Sequence, residues 1–145
     1  MTDQQLVDAA KAPILAYNDK NWEAVSRAIA SDLAYDEIGT HRNLRGAADV
    51  IAAWKGWAAA FPDSKATFEA VHTSGSTVVI LEVTWRGTQS GPLRTPSGDI
   101  PATGKKIEMR ACQIVDVKDG KAQGIRQYLD LATMMAQLGA SAVGA

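Results

Sequence analysis

Residues 107–139 read IEMRACQIVDVKDGKAQGIRQYLDLATMMAQLG, and the fold turns on this stretch. Two β-rich runs flank Asp119-Gly120, a dipeptide suited to the two positive-φ positions of a type I′ turn, so a hairpin is expected with Lys118 opposite Lys121. Paired residue numbers then sum to a constant. Gln113 is expected opposite Arg126, Ala111 opposite Tyr128 and Met109 opposite Asp130. Period two gathers Arg126, Tyr128 and Asp130 on one side, facing Met109, Ala111 and Gln113, and leaves Arg110, Cys112, Ile125, Gln127 and Leu129 on the other. The first group combines a carboxylate, an amide, a guanidinium and a phenol with apolar neighbours, which suits a pocket with a few convergent polar groups. Leu131, Met134, Met135 and Leu138 then recur at helical steps, with Gly139 placed as a C′ residue. Asp130 stands between two leucines at this strand-to-helix junction. It either caps the helix or is an acid held in apolar surroundings.

Upstream, Thr2 and Gln5 are spaced as a capping box, and Leu6, Ala10, Pro13, Ile14 and Tyr17 share one helical face that Pro13 should kink. Trp22, Val25 and Ile29 mark a second short helix. A strand follows over about 33–38, in which Asp36 and Glu37 read as surface or loop-anchoring groups. Residues 39–46 read as polar loop. Val50, Ile51, Trp54, Trp57 and Phe61 give a third helix, which Pro62 ends. Residues 65–73 and 77–86 (TVVILEVTWR) read as strands, the second apolar enough for a central position. Gly87 to Gly104 carries Gly91, Pro92, Pro96, Gly98 and Pro101 and reads as one long loop. Helices followed by strands is an α+β pattern, with the helices on one sheet face.

At 145 residues the chain suits a single domain, 1–145, with 46% hydrophobic residues and a formal net charge of -1. Near-balanced charge gives no reason to expect nucleic acid, and no apolar run is long enough to span a membrane. The N-terminus has no signal-peptide pattern, so a cytoplasmic protein is expected. The single cysteine, Cys112, can form no internal disulfide, and no His/Cys/carboxylate spacing suggests a metal. No glycine-rich loop lies between a strand and a helix, so no nucleotide cofactor is expected.

These pieces together resemble the SnoaL-like polyketide cyclases, the ester-cyclase branch of the nuclear-transport-factor-2-like superfamily. The resemblance rests on Ala60-Phe61-Pro62-Asp63 after the third helix and on the loop Ile100-Pro101-Ala102-Thr103-Gly104-Lys105. It also rests on Asp119-Gly120-Lys121 in the hairpin and on Tyr128-Leu129-Asp130 leading to Ala136-Gln137-Leu138-Gly139. It implies a curved antiparallel sheet wrapped as a cone round N-terminal helices, a deep apolar cavity and a homodimer. In those cyclases an aspartate at the end of the last strand is the acid/base of an intramolecular aldol closure, which by position implies Asp130. The family's histidine on the preceding strand has no counterpart, since His41 and His72 lie elsewhere, and Gln113 is the polar inward candidate there.

The expected function is cofactor-independent ring closure or isomerisation of a hydrophobic carbonyl compound, a small-molecule partner. Asp130 would be the general acid/base and Gln113 a hydrogen-bond donor. Tyr17, Trp54, Trp57, Trp85, Met109, Arg126, Tyr128 and Met134 would contact the substrate. With no covalent nucleophile paired to a base, only proton transfer and electrostatic stabilisation are on offer. The alternatives are a non-catalytic binder of a hydrophobic ligand and a related epoxide hydrolase or dehydratase.

Overall fold

Thr2 opens the first helix, α1 (Asp3–Asn18), through a reciprocal capping box with Gln5. The computed structural model describes residues 1–96 and 98–139. Leu6, Ala10, Pro13, Ile14 and Tyr17 form the buried stripe of α1. Burial of each large apolar side chain there contributes about 1.5–3 kcal/mol. Asn21 caps α2 (Trp22–Ala28), which gives way directly to β1 (Ile29–Ile38). The expected polar loop 39–46 contains a short strand, β2 (Arg42–Arg45), paired antiparallel to β1. Helix α3 (Ala47–Ala60) ends before Pro62, as its spacing predicts.

The long strands follow as β3 (Lys65–Ser74) and β4 (Val78–Thr88). The expected long loop after β4 is instead partly ordered as a small hairpin, β5 (Leu93–Thr95) and β6 (Gly98–Ile100). Its base is fastened by Gln89, which is buried and whose side chain donates to Ile100 O at 3.1 Å and accepts from Thr103 Oγ1 at 2.8 Å. A buried amide with both ends satisfied can order a proline-rich segment that local propensity leaves open.

Strands β7 (Lys106–Lys118) and β8 (Lys121–Leu129) are the hairpin read from the sequence, and α4 (Leu131–Gln137) follows. Asp119 and Gly120 adopt φ of 52° and 75°, as a type I′ turn requires. The six-stranded curved sheet has the order β2-β1-β8-β7-β4-β3. It is not wholly antiparallel, because β1 runs parallel to β8.

Along β7 burial alternates strictly, with Ile107, Met109, Ala111, Gln113, Val115 and Val117 facing inward. Helix α1 packs across this inner face against β3, β4, β7 and β8. Leu6, Ile14, Val79, Leu81, Val83, Val115 and Ile125 belong to the main core. A second cluster of Phe61, Leu93, Ile107, Met109, Met134 and Leu138 fills the end of the fold beneath α3 and α4.

A β-bulge in the β7–β8 hairpin decides which face of β8 looks inward. The hairpin starts in the expected register, Lys118 opposite Lys121 and Val117 opposite Ala122, then slips so that Asp116 faces Gly124. Gln123 is the extra residue of a β-bulge. Beyond it every pair moves by one: Gln113 faces Gln127, Cys112 faces Tyr128 and Ala111 faces Leu129. Since side chains alternate with period two, one inserted residue exchanges the two faces of β8.

Candidate active site

The inner face of the sheet, α1 and α3 enclose a cavity lined by Pro13, Ile14, Tyr17, Tyr35, Trp54, Trp57, Phe61, Ser64, Trp85, Ile107, Met109, Gln113, Gln127 and Leu129. About 60 Å³ is open to the centres of water molecules, several times the roughly 10–15 Å³ that one water needs. Its lining therefore combines a broad aromatic wall with a few hydroxyls and two amides. Tyr17 and Trp85 meet edge to face at 5.3 Å between ring centres, as do Tyr35 and Trp54 at 5.5 Å, a favourable geometry for aromatic pairs.

The polar groups form a continuous chain. Glu37 lies at its far end, 1% exposed, beneath the cavity wall. Its Oε2 accepts from Tyr35 Oη at 2.7 Å and from Trp57 Nε1 at 3.1 Å, and its Oε1 accepts from Thr40 Oγ1 at 2.7 Å. Arg42 Nη1 lies 3.8 Å from Glu37 Oε1, and its Nη2 donates to Arg94 O at 3.0 Å. A carboxylate buried this deeply is tolerated only with such a complete set of donors and a compensating cation.

Tyr35 Oη in turn accepts from Gln127 Nε2 at 3.0 Å. Gln127 Oε1 accepts from Gln113 Nε2 and from Trp85 Nε1, both at 3.0 Å. Burial, and then the negative charge of Glu37, push the Tyr35 phenol well above its ordinary range. Tyr17, whose Oη lies 2.7 Å from Ser64 Oγ, is pushed up by burial to about 12 despite that hydrogen bond. Both phenols are protonated near neutral pH and available as donors.

Of the residues expected at the site, Tyr17, Trp54, Trp57, Trp85, Met109 and Gln113 line this cavity. The register slip takes the others away. Arg126 points outward and pairs with Asp116 Oδ2 at 3.6 Å, and Tyr128 is 44% exposed. Asp130 is exposed and caps α4: its Oδ1 accepts from Thr133 N at 3.2 Å and its Oδ2 from Thr133 Oγ1 at 2.6 Å. The capping alternative therefore describes its position, and the burial expected of an acid base does not. Met134 is fully buried, but in the second cluster and not on the cavity wall.

Sequence reading missed Tyr35, Glu37, Ser64 and Gln127. The expectation for Glu37 is a surface or loop-anchoring position, yet Leu33, Tyr35 and Glu37 alternate, and that parity places all three on the buried face of β1. The signal for Gln127 was Gly124. A glycine inside a strand is a marker of a bulge, and here an added Cβ would lie 3.1 Å from Asp116 Oδ2.

A curved sheet closed over N-terminal helices, with an aromatic cavity and polar groups on the last two long strands, defines the nuclear-transport-factor-2-like fold, also described as ketosteroid-isomerase-like. Within it, the chain belongs to the SnoaL-like polyketide cyclase family, whose model matches residues 7–138. None of the curated proteins matches the chain. Among solved structures it is similar to IdmH of Streptomyces antibioticus, a candidate polyketide cyclase, at 26% identity and a TM-score of 0.77, covering 93% of this chain and 99% of that one. TsrD of Streptomyces laurentii shares the fold at 22% identity and a TM-score of 0.81, covering 97% of this chain and 99% of the other. An epoxide hydrolase of M. tuberculosis shares it at 18% identity and a TM-score of 0.72, covering 93% and 90% respectively.

Proposed function

We propose that the protein is a cofactor-independent enzyme of the cyclase type, acting on a hydrophobic carbonyl compound. The Tyr35–Glu37 pair takes the acid/base role that position in the sequence suggested for Asp130. One observation carries this reading: a fully buried carboxylate is hydrogen-bonded at 2.7 Å to a phenol whose side chain lines the apolar cavity. A proton leaving the carbon next to a substrate carbonyl would pass to Tyr35 Oη while the proton of Tyr35 passes to Glu37 Oε2. The phenol stays neutral and Glu37 becomes the carboxylic acid. The reverse relay delivers the proton to the new hydroxyl or to the isomerised carbon. Tyr17, protonated up to about pH 12, would donate to the developing enolate oxygen, with the Ser64 hydroxyl donating to Tyr17 in turn.

A binder that transforms nothing is the second reading. It is favoured by Gln113 and Gln127, which face each other on the cavity wall, because amides move no protons. The readings separate by deuterium uptake at the α-carbon of a phenolic ketone such as 6-hydroxy-1-tetralone, followed by NMR. An enzyme accelerates the exchange, and Glu37→Gln lowers the rate by about 10²–10⁴-fold, whereas Asp130→Asn leaves it unchanged. Loss of exchange in Asp130→Asn with retention in Glu37→Gln would return the role to Asp130. Uptake of the ketone without any exchange would favour the binder.

The protein is further proposed to act as a homodimer, with Ile38 and Tyr128, exposed register partners on the outer face, in the contact. A monomer mass by sedimentation at micromolar concentration would refute this.

A further inference from the structure

The hydrogen-bond chain behind the cavity has only one possible direction, and that direction fixes what the wall offers a ligand. An indole N–H can only donate. Trp85 Nε1, 3.0 Å from the Gln127 side chain, therefore requires the oxygen of that amide at its end. The Gln127 nitrogen must then face Tyr35, 3.0 Å away. Tyr35, accepting from Gln127, gives its own proton to Glu37, the acceptor that also takes the Trp57 indole N–H. Two donor-only indoles thus pin the chain at two places, and no amide in it can be turned over without opposing like groups.

The consequence falls on Gln113. Its neighbour presents an oxygen that already accepts from Trp85, so Gln113 must turn its nitrogen toward Gln127, at 3.0 Å. That leaves Gln113 Oε1. Gln113 is 4% exposed and lines the cavity, and among the described residues its Oε1 has no hydrogen-bond partner. No fully enclosed side-chain oxygen or nitrogen among the described residues is left unpaired. Gln113 Oε1 is therefore open to the cavity, not sealed in the protein.

We infer that this cavity selects ligands carrying a hydrogen-bond donor, a hydroxyl, enol or N–H, directed at Gln113 Oε1 and attached to an apolar body that fills the aromatic wall. A ligand with only ether or carbonyl oxygens leaves this acceptor unpaired once water is displaced, and it opposes one acceptor with another. In chemical class this is an enolic or phenolic carbonyl compound rather than a simple ketone or ether. The inference shares with the proposed function the premise that the cavity is the ligand site. It requires no proton transfer, so it stands or falls separately from catalysis.

The test is a matched series of phenol, anisole and toluene, titrated against the protein by ligand-observed NMR. Phenol is expected to bind roughly three- to tenfold more tightly than anisole, the margin of one net neutral hydrogen bond. Gln113→Met, close in shape, should bring the phenol-to-anisole ratio to about one while toluene affinity is kept or improved. Trp85→Phe, which frees Gln127 and with it Gln113 to turn over, should also shrink the ratio. A generally loosened fold would weaken all three ligands together and leave the ratio intact. Equal wild-type affinities, a preference that survives Gln113→Met, or no phenol binding up to its solubility limit would overturn the inference. Failure of ketone exchange with the phenol preference intact would remove the catalytic reading alone.

Discussion

Tyr35→Phe isolates the buried polar chain from the packing around it. The ring stays, and with it the edge-to-face contact with Trp54 at 5.5 Å. The hydroxyl goes, and with it the 2.7 Å bond to Glu37 and the 3.0 Å bond from Gln127. A hydrogen bond to a charged group is worth about 1.5–3 kcal/mol, and a buried donor left unpaired costs about 1–3 kcal/mol. These overlap because Gln127 can relax, so the expected loss is roughly 2–4 kcal/mol. For a chain of this length that corresponds to a fall of about 4–16 °C in Tm. Urea unfolding followed by circular dichroism should show the midpoint drop with an unchanged m-value, marking a change in stability and not in compactness. A loss below about 1 kcal/mol would mean that Glu37 is satisfied without Tyr35, by water or by its other donors. The relay assigned to the pair would then lose its physical basis.

Three further outcomes follow from the same structure. The Tyr17 phenol is raised by burial to about 12 in the folded protein, against about 10 when unfolded. The native state therefore holds that proton more tightly, and its stability is full below pH 10 and lost as pH rises toward 12, by about 3 kcal/mol in all. Tyr35 shifts in the same direction, so Tyr17→Phe should remove only part of the alkaline fall seen by urea unfolding across that range. Asp130→Ala should cost about 1 kcal/mol through loss of the cap on α4, with ligand affinity in the cavity unchanged by titration. Gly91→Ala would bring a Cβ to 2.6 Å from Ala59 O. It should destabilise by about 1–3 kcal/mol and increase proteolytic cleavage near the β5–β6 hairpin.

The sequence by itself determined the order of the helices and the long strands, the type I′ turn, the capping box at Thr2 and the apolar faces of α1 and α3, because each of these is encoded within a few neighbouring residues. It also determined that Gln113 faces inward, since β7 is regular from Lys106 to Lys118 and parity along it needs no knowledge of its partners. The family resemblance was legible for a related reason: its motifs sit in turns and at helix ends, where local chemistry is restrictive.

What only the tertiary structure decided is which face of β8 looks into the cavity. The extra residue Gln123 is held outside the ladder by contacts from elsewhere, its side chain donating to Asp32 Oδ1 of β1 at 2.9 Å. β1 itself breaks register with β8 over the same stretch. A two-residue turn sets register only as far as the first bulge, and a bulge depends on how a third strand packs. That single residue turned the Arg126 and Tyr128 side of β8 away from the cavity and put Gln127 opposite Gln113. Glu37 shows the same limit. Its parity was readable, but a carboxylate is stable on a buried face only when Tyr35, Thr40, Trp57 and Arg42 converge on it, and no local pattern records donors brought together from a strand, a loop and a helix.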